Sequence, residues 1–178
     1  KIEKIQNKHL EIKKHMDSEE INPSSALYTQ YYLNHYMQVV HMALLIKKYQ
    51  NLEKLAHALS VSPEFIQDIV KRLEELGLVE YKNNRFHVTS RKIHLPKESP
   101  LLRPHQGVVR LQSMQRVQQK GMDPTQYAFS ATFSGDEEIR QQIQQEFLKF
   151  IKTLQKYLAQ GGTEEVYQLN FDLFSWTK

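Results

Sequence analysis

Residues 51–89 run NLEKLAHALSVSPEFIQDIVKRLEELGLVEYKNNRFHVT, and the reading of this stretch decides the fold. Asn51 is a good N-cap, because its side-chain oxygen can accept from the free amides of a first turn. Leu52, Leu55, Ala56 and Leu59 fall at helical spacing and predict a short helix that buries one face. Ser60-Val61-Ser62 forms a turn. Ser62 can cap the next helix, and Pro63 suits its first position, where a missing N–H costs nothing. Phe65, Ile66, Ile69, Val70, Leu73 and Leu76 make one apolar stripe, and Gly77 follows where a left-handed cap is cheap for glycine. Leu78 to Tyr81 alternates like a strand. Asn83-Asn84 can take the positive φ angles of a tight hairpin, and Arg85 to Thr89 is the returning strand. Helix, turn, helix, hairpin is the order of a winged helix, which usually carries a helix into the major groove of DNA. The same fold also serves as a dimerisation or docking module, so both uses stay open.

Working outward, the 178 residues suffice for one domain or two small ones. Cysteine is absent, which removes disulfides and thiolate metal sites and agrees with a cytoplasmic location. No apolar run approaches the ~18 residues of a membrane helix. The chain starts at Lys1 rather than Met, which points to a piece of a longer protein, so the lack of a leader carries no weight. The net charge of +4 is unevenly spread. Residues 81–122 hold nine basic groups against one acidic group, whereas residues 63–76, the expected recognition helix, are net −2. A basic strip that begins at the hairpin attracts phosphate backbones.

Upstream, residues 1–26 are expected to form a connector helix and loop. Residues 26–49 are expected to form one long helix, with Tyr28, Tyr32 and Tyr36 on one face and Leu33, Met37, Val40 and Leu44 beside it. Together with the two helices above it completes a three-helix core, so that residues 27–95 make the winged helix-turn-helix domain. Downstream, residues 96–178 are expected to make a small α/β domain of helix–strand–helix–strand order, giving an α+β protein overall. Its helix 104–120 would turn Val108, Leu111, Met114 and Val117 inward. Residues 127–133 alternate strictly and read as a strand, as do residues 166–174. Between them Ile139, Ile143, Phe147, Phe150, Ile151, Leu154 and Leu158 mark an amphipathic helix that starts in the capping sequence of residues 134–137 and ends at Gly161-Gly162. A strand–helix–strand unit predicts parallel strands. Two strands make a poor sheet, so a second copy of the chain is expected to complete it, giving a homodimer through this domain.

Three stretches resemble a bacterial family of winged-helix transcriptional regulators grouped as a conserved domain of unknown function. They are YYLNHYMQVVHMALL in the first long helix, LAHALSVSPEFIQDIVKRLEELGLVE in the helical pair, and the terminal VYQLNFDLFSWTK. The family's terminal pattern, Gln-Leu-Asn-x-x-Leu-Phe-x-x-Thr-Lys, falls on Gln168, Leu169, Asn170, Leu173, Phe174, Thr177 and Lys178. The resemblance runs from about residue 27 to the end and implies cytoplasmic regulation through DNA. It also implies that Lys178 lies at or near the natural C-terminus, and that a further helical region stands upstream in related chains.

Catalytic chemistry finds little support. The six glycines form no phosphate loop, the eight histidines form no H-x-x-x-H pair, and no nucleophile elbow is present. Asp136-Glu137-Glu138 is better explained by capping a helix than by acid–base work. No enzyme, cofactor or metal is therefore expected. The expected partner is double-stranded DNA. Gln67 and Lys71, one turn apart, are the candidate base readers, while Lys82, Asn83, Asn84 and Arg85 at the hairpin tip, with Arg91 and Lys92 beyond, are the candidate backbone contacts. Arg72 has a plainer role available, pairing with Asp68 one turn away. The alternative is a protein-interaction module in which the acidic helix docks a basic partner. A weaker third reading is a ligand sensor with a pocket beside helix 104–120.

Overall fold

The computed structural model describes residues 26–90, 95–96, 98–119 and 126–177. The connector expected over residues 1–26 falls almost wholly outside them, as do Arg91, Lys92 and Lys178. The protein is of mixed class, mostly helical with one small antiparallel sheet among the described residues, in keeping with α+β. It divides into two compact units, Lys1–Leu111 and Gln112–Lys178.

The first unit opens with α1 (Ala26–Leu33) and α2 (His35–Ala43), followed by a 3-10 turn at Lys47–Gln50. The single helix expected over residues 26–49 is thus broken twice. The first break is Asn34, which sits in extended conformation and caps α2 by accepting from the Tyr36 amide at 3.1 Å. An asparagine in mid-pattern offers the backbone this alternative to a continuous helix. The second lies beyond Leu44, where Ile46 turns extended before the 3-10 turn.

α3 (Leu52–Leu59) and α4 (Pro63–Glu75) follow the local signals closely. Asn51 accepts from Lys54 N at 2.8 Å, and Ser62 from Phe65 N at 3.2 Å. Between them Ser60 takes φ 56°, so a non-glycine residue holds the left-handed position of the turn. At the end of α4, Gly77 at φ 70° lets Leu78 N reach Leu73 O and Gly77 N reach Glu74 O, the paired bonds that close a helix with a left-handed cap. The chain then enters β1 (Val79–Lys82) and β2 (Arg85–Val88), paired antiparallel with Lys82 opposite Arg85. Asn83 and Asn84, at φ 53° and 62°, are the two turn residues. Amide Thr89 N donates to Leu78 O and closes the open end of the hairpin.

The core lies where α2, α3 and α4 meet. It holds Met37, Val40, Leu44, Leu55, Ile66, Ile69 and Leu73, all buried. Tyr28, Tyr31 and Tyr32 of α1 are buried beside them in edge-to-face contact, with His41 against Tyr31. Tyr36 is less covered and packs edge-on against Phe65. The long helix α5 (Leu102–Gln119) begins two residues before Pro104, which is tolerated because the first-turn amides have no internal partner. Its covered face differs from the expected one. His105 donates through Nδ1 to Tyr32 O at 2.9 Å and Val109 is buried, which leaves Leu111 exposed. Met114 and Val117 are exposed too.

The second unit contains α6 (Glu137–Gln160), capped by Asp136, whose carboxylate accepts from Ile139 N at 2.9 Å. Phe171 stacks on Phe147 at 3.8 Å between ring centroids, and Asn170 donates to Ser113 Oγ at 2.8 Å. The strands expected over residues 127–133 and 166–174 do not form: these segments carry no ladder, and β1 with β2 is the sheet found among the described residues. The alternation that predicted them is present, but a strand exists only by its pairing, and among the described residues no segment pairs with either of these two.

Candidate nucleic-acid interface

An open groove of about 1060 Å³ lies between α4 and the hairpin, with the 3-10 turn and the start of α3 along its edge. Gln67 and Lys71 reach it from α4, beside Val70, which also lines it, while Ile66, Ile69 and Leu73 are buried in the core. Asn84 and Arg85 reach it from the hairpin tip. Four of the eight residues singled out from the sequence therefore line one surface. Lys82 and Asn83 stand at the tip outside that lining. Lys82 is ion-paired with Glu80, two residues back along β1 on the same face. Asn84 also accepts from Tyr81 Oη at 2.6 Å, so its side chain fixes the turn as well as facing the groove. Arg91 and Lys92 lie outside the described residues.

Two groove residues escaped the sequence reading. Lys47, from the 3-10 turn, adds a cation to the lining. Gln50 anchors the hairpin: Phe86 N donates to its Oε1 at 2.7 Å, and its Nε2 donates to Phe86 O at 3.0 Å and to Leu44 O. The amide side chain thus satisfies both backbone groups of Phe86, as a neighbouring strand would. No local pattern announces a bond spanning 36 residues.

The groove is mixed in sign. Glu53 and Glu74 line it together with Lys47, Lys71 and Arg85. Glu64, at the start of α4, is held below the ordinary carboxylate range by its own backbone amide and by the Ser62 hydroxyl, so it belongs to the helix cap. Arg72 is committed elsewhere: it donates to Asp68 at 2.9 Å and to the Gln30 amide oxygen, tying α4 to α1. The plainer role foreseen for it is the one it plays. Below the groove, His41 is fully buried and accepts or donates through Nδ1 to Tyr31 Oη at 3.0 Å. Burial lowers its pKa to about 4, against partial opposition from the backbone at Leu78 and Ser90, and burial raises that of Tyr31. A neutral imidazole beside a neutral phenol is a structural pair under the hairpin's base.

Among the described residues no cluster of His, Asp or Glu is placed to hold a metal ion. None of the described helices is long and apolar enough to cross a membrane. No curated protein and no solved structure matches the chain. A family model does match, over residues 2–176, and the chain belongs to that family, the domain of unknown function DUF4423.

Proposed function

We propose that the first unit is a winged helix that binds double-stranded DNA, and that the protein is a cytoplasmic regulator of transcription acting as a dimer through its second unit. The observation that carries this reading is the convergence of Gln67, Lys71, Asn84 and Arg85, with Lys47, on one groove between α4 and the hairpin. A helix with exposed amide and ammonium groups beside a hairpin tip with a guanidinium is a suitable set for major-groove edges and flanking phosphates. Glu53 and Glu74 weaken non-specific attraction, and a carboxylate can accept from cytosine N4, so their presence favours selectivity over raw affinity. The function is binding rather than catalysis.

Reversing Lys82 and Arg85 to glutamate tests the hairpin's share. Binding to mixed-sequence duplex DNA at low salt is expected to fall by at least tenfold. Unchanged affinity with an unchanged salt dependence would remove the hairpin from the interface. One observation favours a second reading. The acidic balance of α4, with Glu74 in the groove, also suits a basic protein segment, and absence of any DNA binding at low salt would turn the proposal that way.

A further inference from the structure

The hairpin carries Tyr81, Asn84, Arg85 and Phe86 into the groove, so its angle to α4 decides what the groove can hold. It is anchored at two heights. At mid-length the Gln50 amide grips Phe86. At the root, Leu78 N donates to Leu73 O, Thr89 N to Leu78 O, and Thr89 Oγ1 to Gly77 O. Behind that root stands His41, 0% exposed. Its Nδ1 meets Tyr31 Oη at 3.0 Å. Its Nε2 makes no hydrogen bond of ordinary geometry. The backbone at Leu78 and at Ser90 nonetheless acts on the ring, and both groups favour a proton on it. Backbone groups that favour a proton are acceptors, hence carbonyl oxygens. They face Nε2, since Nδ1 is taken by Tyr31.

These contacts choose between the two neutral forms of the ring. With the proton on Nδ1, the Nε2 lone pair would point at two carbonyl oxygens. The Tyr31 hydroxyl would also have to accept from the ring and send its own proton elsewhere. With the proton on Nε2, Tyr31 donates to Nδ1, and the Nε2–H lies between Leu78 O and Ser90 O. Off the axis of each, it is shared as in a three-centre bond. We infer that His41 holds its proton on Nε2 and is the positioning residue of the hairpin, bracing the chain where it enters β1 and where it leaves β2. The brace is referred to α1: Tyr31 holds His41, and the neighbouring Gln30 accepts from Arg72 of α4. Both walls of the groove are therefore fixed against one helix. What this placement does for DNA contact rests on the proposed function; the bracing itself does not.

The test is nuclear magnetic resonance of the whole chain near pH 7, without DNA. The His41 ring is expected to show a protonated Nε2 and a bare, hydrogen-bonded Nδ1. Residual dipolar couplings are expected to give the hairpin amides one fixed orientation to those of α4 in the wild-type chain. His41→Gln keeps that orientation, because its amide nitrogen reaches the place of Nε2. In His41→Leu, which has no donor there, the hairpin couplings shift while those of α4 stay. A proton on Nδ1 would overturn the inference, and so would unchanged hairpin couplings in His41→Leu. If that variant does not fold, the tautomer and the couplings of His41→Gln decide. Duplex binding by the same proteins separates the brace from the DNA reading. Hairpin couplings that move in His41→Leu, in a chain that binds no duplex, would uphold the brace and sink the DNA reading alone.

Discussion

At the scale of single residues, the local signals that held are those whose partners lie within a turn. Asn51, Ser62 and Gly77 act where their chemistry places them, because a cap bonds to amides or carbonyls a few positions away. Asn83 and Asn84 follow for the same reason. Gln50 and Lys47 were not legible, since their roles depend on where the hairpin lands. His41 carries a consequence of its own. Burial lowers its pKa from 6.5 to about 4, so the unfolded chain binds the proton first as pH falls. Stability attached to this residue is complete above pH 6.5 and is lost between pH 6.5 and 4. The loss is on the order of 3 kcal/mol from the size of that shift. Thermal unfolding followed from pH 7 down to pH 4.5 is expected to show a falling midpoint in the wild-type chain. In His41→Gln the fall is shallower. Equal slopes in the two proteins would remove His41 as the cause.

At the scale of elements, hydrophobic periodicity found α3, α4 and α6 but ran α1 and α2 together. The apolar spacing continues across Asn34, so only the asparagine's capping bond to Tyr36 separates them. The strands of the second unit failed for the opposite reason. Alternation states which face a strand would bury, not whether an edge exists to pair with. The hairpin shows what such an edge supplies: β2 is flanked by β1 on one side and by the Gln50 amide on the other. Gln50→Ala is therefore expected to release the Phe86 amide. Hydrogen exchange at Phe86 should accelerate by tenfold or more, with little change in the amides of α4. Uniform acceleration through both elements would mean that Gln50 supports the whole unit rather than the hairpin.

At the scale of the whole molecule, the first unit presents a groove of mixed charge between α4 and the hairpin. The sequence's charge map pointed to the hairpin and the basic strip after it as the seat of DNA contact. The groove moves the weight toward α4 and the 3-10 turn, because Lys82 is engaged with Glu80 while Lys47, Lys71 and Arg85 face one surface. That redistribution was hidden from sequence, as it depends on three segments meeting in space. The most direct measurement is the salt dependence of duplex DNA affinity for the wild-type chain and for Lys47→Gln/Lys71→Gln/Arg85→Gln. If these three cations sit on phosphates, the slope of log affinity against log salt concentration falls by roughly 0.9 per contact, about 2.7 in all. An identical slope in both proteins, or a wild-type chain that binds no DNA at low salt, would contradict the account.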